Sequence, residues 1–332
     1  MRIRGRLAPS PTGWLHLGNA WAFFMAWLLC RLGKGSLVLR MEDIDPQRSR
    51  ESYTQAAIED LLWLGLDWDE GPDPADLRGT TGPYAPYTQS LRLAAYEQAL
   101  RTLEVKGSLY PCFCTRKELR ALASAPHIGD EGAPYPGICR DLTPEQQALL
   151  RNAGRSASLR VRCPAQQHSF IDLFQGPQRA TPEDWGGDFA LRRSDGVMAY
   201  QLAVVVDDGL MHINQVVRGH DLLSSTPRQL LLFRLLDMPA PNYAHIPLLC
   251  DEEGERLAKR HASLSLRALR EAGVSASAIT GYLAWKSGLM HEVTPVHPRH
   301  FLSLDSLDFP LWWHGRDILL DADPLKTLLA LG

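Results

Sequence analysis

The chain has 332 residues, 45% hydrophobic and 22% charged, with a formal net charge of −3. This is ordinary for a soluble globular protein that buries a real core, in one large or two to three modest domains. No bulk basic excess announces nucleic acid, so any RNA surface must be a local patch.

Arg2, Arg4 and Arg6, followed by the apolar residues 20–30, imitate a secretory signal. Pro9, Ser10, Pro11, His16 and Asn19 interrupt it, no small-residue cleavage site follows, and the apolar run is too short to span a bilayer. A cytoplasmic protein with no membrane partner is expected. The run ending at Leu7 and Ala8 reads as a strand, after which Pro9, Pro11 and Gly13 force an irregular turn. Residues 20–32 read as a buried helix with Gly33 as its C-cap. A strand, a Pro/Gly turn and a helix start make an anion site, because the first helical turn leaves backbone N–H groups unpaired. His16, Gly18 and Asn19 stand where a phosphate would lie. His-x-Gly arises about once by chance at this composition, and a second copy does occur, at His127 and Gly129. With no strand before it and no apolar helix after it, that copy is rejected by context.

Residues 36–41 form a β-rich run, followed at once by Glu42, Asp43 and Asp45 and then by Arg48 and Arg50. Carboxylates at the C-terminal end of a strand occupy the ligand edge of a parallel sheet. Acidic residues heading a helix would serve capping alone. Ala56, Ile58, Leu61 and Leu62 have helical spacing, residues 73–90 are a Pro/Gly/Tyr-rich loop, and residues 91–103 give a second amphipathic helix. Of six cysteines, Cys30 and Cys250 lie in apolar runs and read as core. Cys112, Cys114 and Cys139 share one loop-rich segment, which in a reducing compartment favours metal over disulfide. Tetrahedral Zn²⁺ suits such thiolates and needs a fourth ligand, for which His127 and Tyr135 are the local candidates.

Strands are expected around residues 160–163 and 169–174, and a hairpin turn at Ser194, Asp195 and Gly196. Residues 200–206 form a helix or strand facing the core, with polar Tyr200 and Gln201 at its start. A strand over 212–217 places Arg218, Gly219, His220 and Asp221 at its C-terminal end. A helix over 227–236 and a strand over 243–250 follow. The charged loop 251–261, with Arg256, Lys259, Arg260 and His261, suits a mobile phosphate clamp; standing alone it would read as a solvated turn. Residues 262–289 are mostly helical, and the remainder mixes Pro, Trp and Leu without a pattern.

Taken together, these pieces resemble the class I aminoacyl-tRNA synthetases, specifically the glutamyl branch. Residues 6–19 look like its nucleotide-binding motif with the preceding amino-acid-binding strand. Residues 40–49, 200–208 and 217–223 match its further motifs, and residues 256–260 its second ATP motif. The resemblance implies an α/β fold: a Rossmann-type parallel-sheet domain in two halves, 1–104 and 187–261. A zinc-bearing insertion at 105–186 splits them, and a helical stem-contact region at 262–332 follows, with no anticodon-binding domain. It implies ATP, Mg²⁺ and one structural Zn²⁺ held by Cys112, Cys114, Tyr135 and Cys139. Glutamate would lie against Arg6, Leu7, Ala8, Pro9, Ser10, Glu42, Tyr200 and Arg218, and ATP against His16, Gly18, Asn19, Arg256 and Lys259. By residue type, Arg6 and Arg218 offer forks for two carboxylates, Glu42 a partner for the ammonium and Tyr200 a side-chain orienter.

The chain departs from the family pattern at Asn19, in place of a second histidine, and at Arg256 and Ala258, in place of a lysine and a serine. Lys259 is left as the central charge. The short region after Lys259 resembles the glutamyl-Q tRNA(Asp) synthetases. That implies tRNA-independent formation of glutamyl-adenylate from L-glutamate, then transfer to queuosine at the wobble position of tRNA(Asp), by a monomer. The rivals are a shortened glutamyl-tRNA synthetase charging the 3′ end and a catalytically silent zinc-containing RNA-binding paralogue. A small-molecule nucleotidyltransferase is a third, against which Arg6, Glu42, Tyr200 and Arg218 argue.

Overall fold

The computed structural model describes residues 2–74, 76, 79–115, 117–119, 135–257, 264–304 and 308–331. Strand β1 (Arg4–Leu7), helix α1 (Leu17–Leu32) and strand β2 (Ser36–Leu39) form one strand–helix–strand unit, with β1 and β2 parallel and paired from Arg4↔Ser36 to Leu7↔Leu39. Helix α1 is buried along most of its length, so its apolar residues run all round it rather than along one stripe. Its indole N–H groups both find acceptors: Trp21 donates to Pro247 O (2.9 Å) and Trp27 to Asp67 Oδ1 (2.7 Å). Gly33 caps the helix as expected, but at φ −77°; the left-handed residue is Lys34, at φ 51°. A Cβ at 33 would meet the tip of the Ile3 side chain, Cδ1 at 2.2 Å, so a larger residue there requires that side chain to move.

Helices α2 (Glu51–Trp63) and α3 (Leu93–Val105) follow, then β3 (Leu109–Cys112), α4 (Pro144–Asn152) and β4 (Ser158–Val161). A hairpin, β5 (His168–Asp172) and β6 (Gly176–Ala180), leads to β7 (Ala190–Arg192) and to α5 (Tyr200–Leu210). The 200–206 segment is therefore helix, and residues 194–196 make the expected turn, with Gly196 at φ 89°. Next come β8 (Gln215–Gly219), α6 (Thr226–Leu235), β9 (Asn242–Ile246), α7 (Leu266–Glu271), α8 (Ala276–Lys286) and α9 (Pro324–Ala330).

Strands β8 and β9 are parallel, in register from Gln215↔Asn242 to Gly219↔Ile246. Strand β1 lies beside β8, joined by Asn214 N–H to Arg4 O (3.0 Å) and Arg4 N–H to Asn214 Oδ1 (2.8 Å). The expected strand over 212–217 starts late because His212 takes φ 54°, a turn conformation, so Arg218 lies inside β8 rather than beyond it. The 243–250 run is likewise interrupted, with Leu249–Cys250 forming a separate short strand.

The insertion builds its own antiparallel sheet, in the order β3, β4, β7. Its third strand lies beyond residue 186, while the β5–β6 hairpin from inside 105–186 joins β9 at Tyr243↔Asp172. The two expected boundaries thus interleave in space. The patternless C-terminal segment also enters the main core: Ile318–Leu319 pairs in parallel with Leu249–Cys250, and Trp313 packs edge-on to Trp21 at 5.5 Å between ring centres. No helix among the described residues is long and apolar enough to cross a membrane.

Gly281 sits within α8, where a Cβ would come 1.9 Å from Thr294 O and 2.8 Å from its carbonyl carbon. Helix propensity alone favours Gly281→Ala by about 1 kcal/mol. Backbone displacement wins here, so urea unfolding of Gly281→Ala is expected to show a net loss of about 1–3 kcal/mol. A gain would mean that α8 and residue 294 are not packed this closely.

Candidate active site

The C-terminal ends of β1, β2 and β8 and the N-terminus of α1 open into one cavity of about 1360 Å³. Arg6, Glu42, Tyr200 and Arg218 line it together with His16, Gly18 and Asn19, as do Ala8, Pro9, Ser10 and Arg256. Leu7 does not line it. As the last residue of β1 its side chain is fully buried in the core, the strand alternation turning it away from the cavity that Arg6 faces.

Beneath the cavity lies a charge cluster whose members fall in the runs 40–49 and 200–208 but whose pairing the sequence does not reveal. Arg40, fully buried, donates from Nη1 to Asp208 Oδ1 (2.8 Å) and from Nη2 to Glu42 Oε1 (3.0 Å), and its Nε lies 3.7 Å from Asp207. Burial works against its charge, but the pull of Asp208, Glu42 and Asp207 holds its pKa above the ordinary arginine value. Asp207 also accepts from Arg92 Nε (2.6 Å), Tyr96 OH (2.8 Å) and Gln89 Nε2 (3.0 Å). Asp208 lies 3.6 Å from Arg6 Nε, which makes no hydrogen bond of its own, while Arg6 Nη1 donates to Val217 O (3.3 Å). Glu42 thus reaches the cavity already steadied by Arg40.

Arg218 is held more completely. Its Nε donates to His245 Nε2 (3.0 Å), Nη1 to Gln229 Oε1 (2.9 Å), and Nη2 to Thr226 Oγ1 (2.9 Å) and Leu222 O (3.3 Å). Gln229 in turn donates to Gln201 Oε1 (2.9 Å), and His245 Nδ1 lies 2.6 Å from Asp172 Oδ2. Burial pushes the His245 pKa down to about 4, so the ring is neutral. Burial raises the Tyr200 pKa, with Arg218 and Arg6 pulling it back and Glu42 adding to the rise. The phenol stays protonated and can donate.

His16 and Asn19 act first as a cap. His16 Nδ1 accepts from Gly18 N–H (3.1 Å), Asn19 Oδ1 accepts from His16 N–H (3.0 Å), and Asn19 N–H donates to His16 O (2.9 Å). The expectation of bare amides at this helix start is corrected: Gly18 and Asn19 already have partners, because Nδ1 at the N-cap reaches the N2 position as a Ser or Asp oxygen would. Arg256 Nη1 pairs with Asp221 Oδ2 (2.5 Å) at the cavity mouth. Lys259 lies outside the described residues, as does His127.

The sulfurs of Cys112, Cys114 and Cys139 all lie within 4.8 Å of one another. Tyr135 OH accepts from Cys139 N–H (2.8 Å) and lies 3.4 Å from Cys112 Sγ. Burial and the adjacent Cys112 and Cys139 push the Cys114 pKa up to about 12. Three thiols so crowded cannot all ionise unless a cation joins them, so the donor set is compatible with one zinc ion.

The family model for tRNA synthetases class I (E and Q), catalytic domain, matches residues 2–293. The chain belongs to this family. It is 58% identical to a glutamyl-Q tRNA(Asp) synthetase of Nitratidesulfovibrio vulgaris, covering 91% of each chain. Against a glutamyl-Q tRNA(Asp) synthetase of Symbiobacterium thermophilum it is 50% identical, over 91% of this chain and 92% of the relative. A solved glutamate tRNA ligase from Elizabethkingia meningosepticum, in complex with its amino acid, superposes with a TM-score of 0.80 at 25% identity, over 99% of this chain and 69% of that one. The chain is accordingly a ligase of the class I aminoacyl-tRNA synthetase type, whose chemistry uses ATP and Mg²⁺.

Arg40→Met leaves Glu42, Asp207 and Asp208 buried around a missing charge, and a loss of about 3–5 kcal/mol in denaturant unfolding is expected. Arg40→Lys keeps the charge and loses only the fork, so it should lose less. Equal stability of Arg40→Met and the parent would show that the cluster does not depend on Arg40.

Proposed function

We propose that this protein activates L-glutamate with ATP, without tRNA, and then transfers it to queuosine at the wobble position of tRNA(Asp). The observation that carries this is 58% identity to a glutamyl-Q tRNA(Asp) synthetase across nine-tenths of both chains. The cavity supports it with two arginines for a diacid, Arg6 and Arg218, and a carboxylate for an ammonium, Glu42.

Arg218 commits four of its five guanidinium N–H groups to the protein, so it presents a single donor to a carboxylate. Arg6, which lines the cavity and commits Nη1 to Val217 O, keeps further Nη N–H groups for the other carboxylate. Glutamate held in this way offers an α-carboxylate oxygen to the α-phosphorus of ATP. The new O–P bond forms as pyrophosphate leaves, giving glutamyl-adenylate. A hydroxyl of the cyclopentenediol then attacks the acyl carbon, and AMP departs. The protein contributes no covalent nucleophile; its work is positioning and charge neutralisation. ATP would lie along the α1 N-terminus against His16, Gly18 and Asn19, with Arg256 and Lys259 from the later loop, and Mg²⁺ neutralises its phosphates. Cys112, Cys114, Cys139 and Tyr135 would hold Zn²⁺, which when bound ties β3 to the loop at 135–139. The protein acts as a cytoplasmic monomer.

Labelled glutamate incubated with ATP and bulk tRNA is expected to appear only on tRNA from queuosine-containing cells. Equal labelling of queuosine-free tRNA would mean that the ester forms at the 3′ end instead. For the metal, the purified protein is expected to carry about one equivalent of zinc, and Cys139→Ser well under half of that. A zinc-free parent protein would rule out a metal role for the three cysteines.

A further inference from the structure

His245 belongs to none of the motifs and does not line the cavity, yet it is buried with its ring directly behind Arg218. An arginine donates through every nitrogen and never accepts. Arg218 Nε–H points at His245 Nε2 from 3.0 Å, so a proton on Nε2 would set two N–H groups head to head. Thr226 Oγ1, 3.3 Å from the same nitrogen, accepts from Arg218 as well. His245 must therefore be the neutral tautomer with its proton on Nδ1. Asp172 Oδ2, 2.6 Å from Nδ1, fixes that choice, and both Asp172 oxygens also accept from the His245 backbone N–H, at 3.0 and 3.2 Å. Asp172 is itself anchored by the N–H groups of Phe174 (3.1 Å) and Gln175 (3.0 Å), so the carboxylate cannot swing away. Tyr243, stacked on His245 with 14° between ring planes, lies under the Arg218 guanidinium and closes the remaining direction.

We infer that Asp172 and His245 form a positioning relay which locks the rotamer of Arg218 and so sets the affinity for the amino-acid substrate. Asp172 selects the tautomer, His245 supplies an uncharged acceptor, and Arg218 is held with one N–H aimed into the cavity. A carboxylate placed directly behind Arg218 would also accept its N–H, but would compete with the substrate by neutralising its charge. A neutral imidazole orients the guanidinium and leaves its charge for the ligand. The inference rests on Arg218 being a glutamate contact, as proposed above.

Two measurements test it. In the unliganded full-length protein, ¹⁵N-histidine NMR, with the His245 signal assigned by its loss in His245→Gln, is expected to show the Nδ1-protonated tautomer, the minor form of free imidazole. An Nε2-protonated or charged ring would overturn the relay. In glutamate-dependent ATP–pyrophosphate exchange, His245→Leu removes the acceptor and is expected to raise the glutamate KM by roughly tenfold or more, the scale of a lost hydrogen bond to a charged group. The ATP KM and kcat should stay within about threefold. His245→Gln, whose amide oxygen can accept from Nε–H, should recover most of the glutamate affinity. A folded His245→Leu protein with an unchanged glutamate KM would overturn the inference. If the parent protein showed no glutamate-dependent exchange, the functional proposal would fail, and the tautomer measurement would still decide whether the relay exists.

Discussion

The guanidinium of Arg40 is the constraint on which the rest of the structure depends. It sits without solvent at the end of β2 and faces Glu42 from its own strand extension and Asp207 and Asp208 from α5. Through Asp207 it is coupled to Arg92, Gln89 and Tyr96, and through Asp208 to Arg6. Burying such a set costs heavily in desolvation, and apolar residues would often serve stability as well or better. Here the cluster does something that apolar packing cannot: it delivers an oriented carboxylate, Glu42, and an arginine, Arg6, to the same wall of the cavity. The two halves of the parallel sheet meet at this point, so their register and the geometry of the pocket are fixed by one set of contacts.

The two cavity arginines are prepared differently. Arg218 is braced on nearly every side by His245, Gln229, Thr226 and Leu222, whereas Arg6 keeps its Nε uncommitted beside Asp208. In both, much of the ordering that a floppy long side chain would undergo on meeting a ligand is completed on folding. The reciprocal cap of His16 and Asn19 does the same for the α1 N-terminus, fixing both side chains at the cavity wall on folding.

Much of the site was legible because its chemistry requires particular residue types close together in the chain. Residues 6–19 carry a strand, a turn and a helix cap; Cys112 and Cys114 are two residues apart; Glu42 follows a strand directly. Arg40 and Asp208 each fall in a family motif, but their ion pair was not legible because they lie 168 residues apart. His245 and Asp172 are 73 residues apart and meet only because the β5–β6 hairpin docks on β9. The Leu7 side chain faces the core rather than the cavity because a neighbouring position in a strand points to the opposite side. Gly33 ends the helix as the sequence suggests, but the left-handed turn falls one residue later, on Lys34.

Trp313 gives the C-terminal segment a further meaning. Its ring packs against Trp21 of α1 and against Phe174 and Phe309, and its indole N–H donates to Ser287 O. The match to the family model ends at residue 293, yet Trp313, Ile318 and Leu328 beyond it complete the main core. Shortening the chain to residue 293 would strip these three from the core and leave one flank of α1 wet. The last helix and its approach serve the parallel-sheet half as a keel.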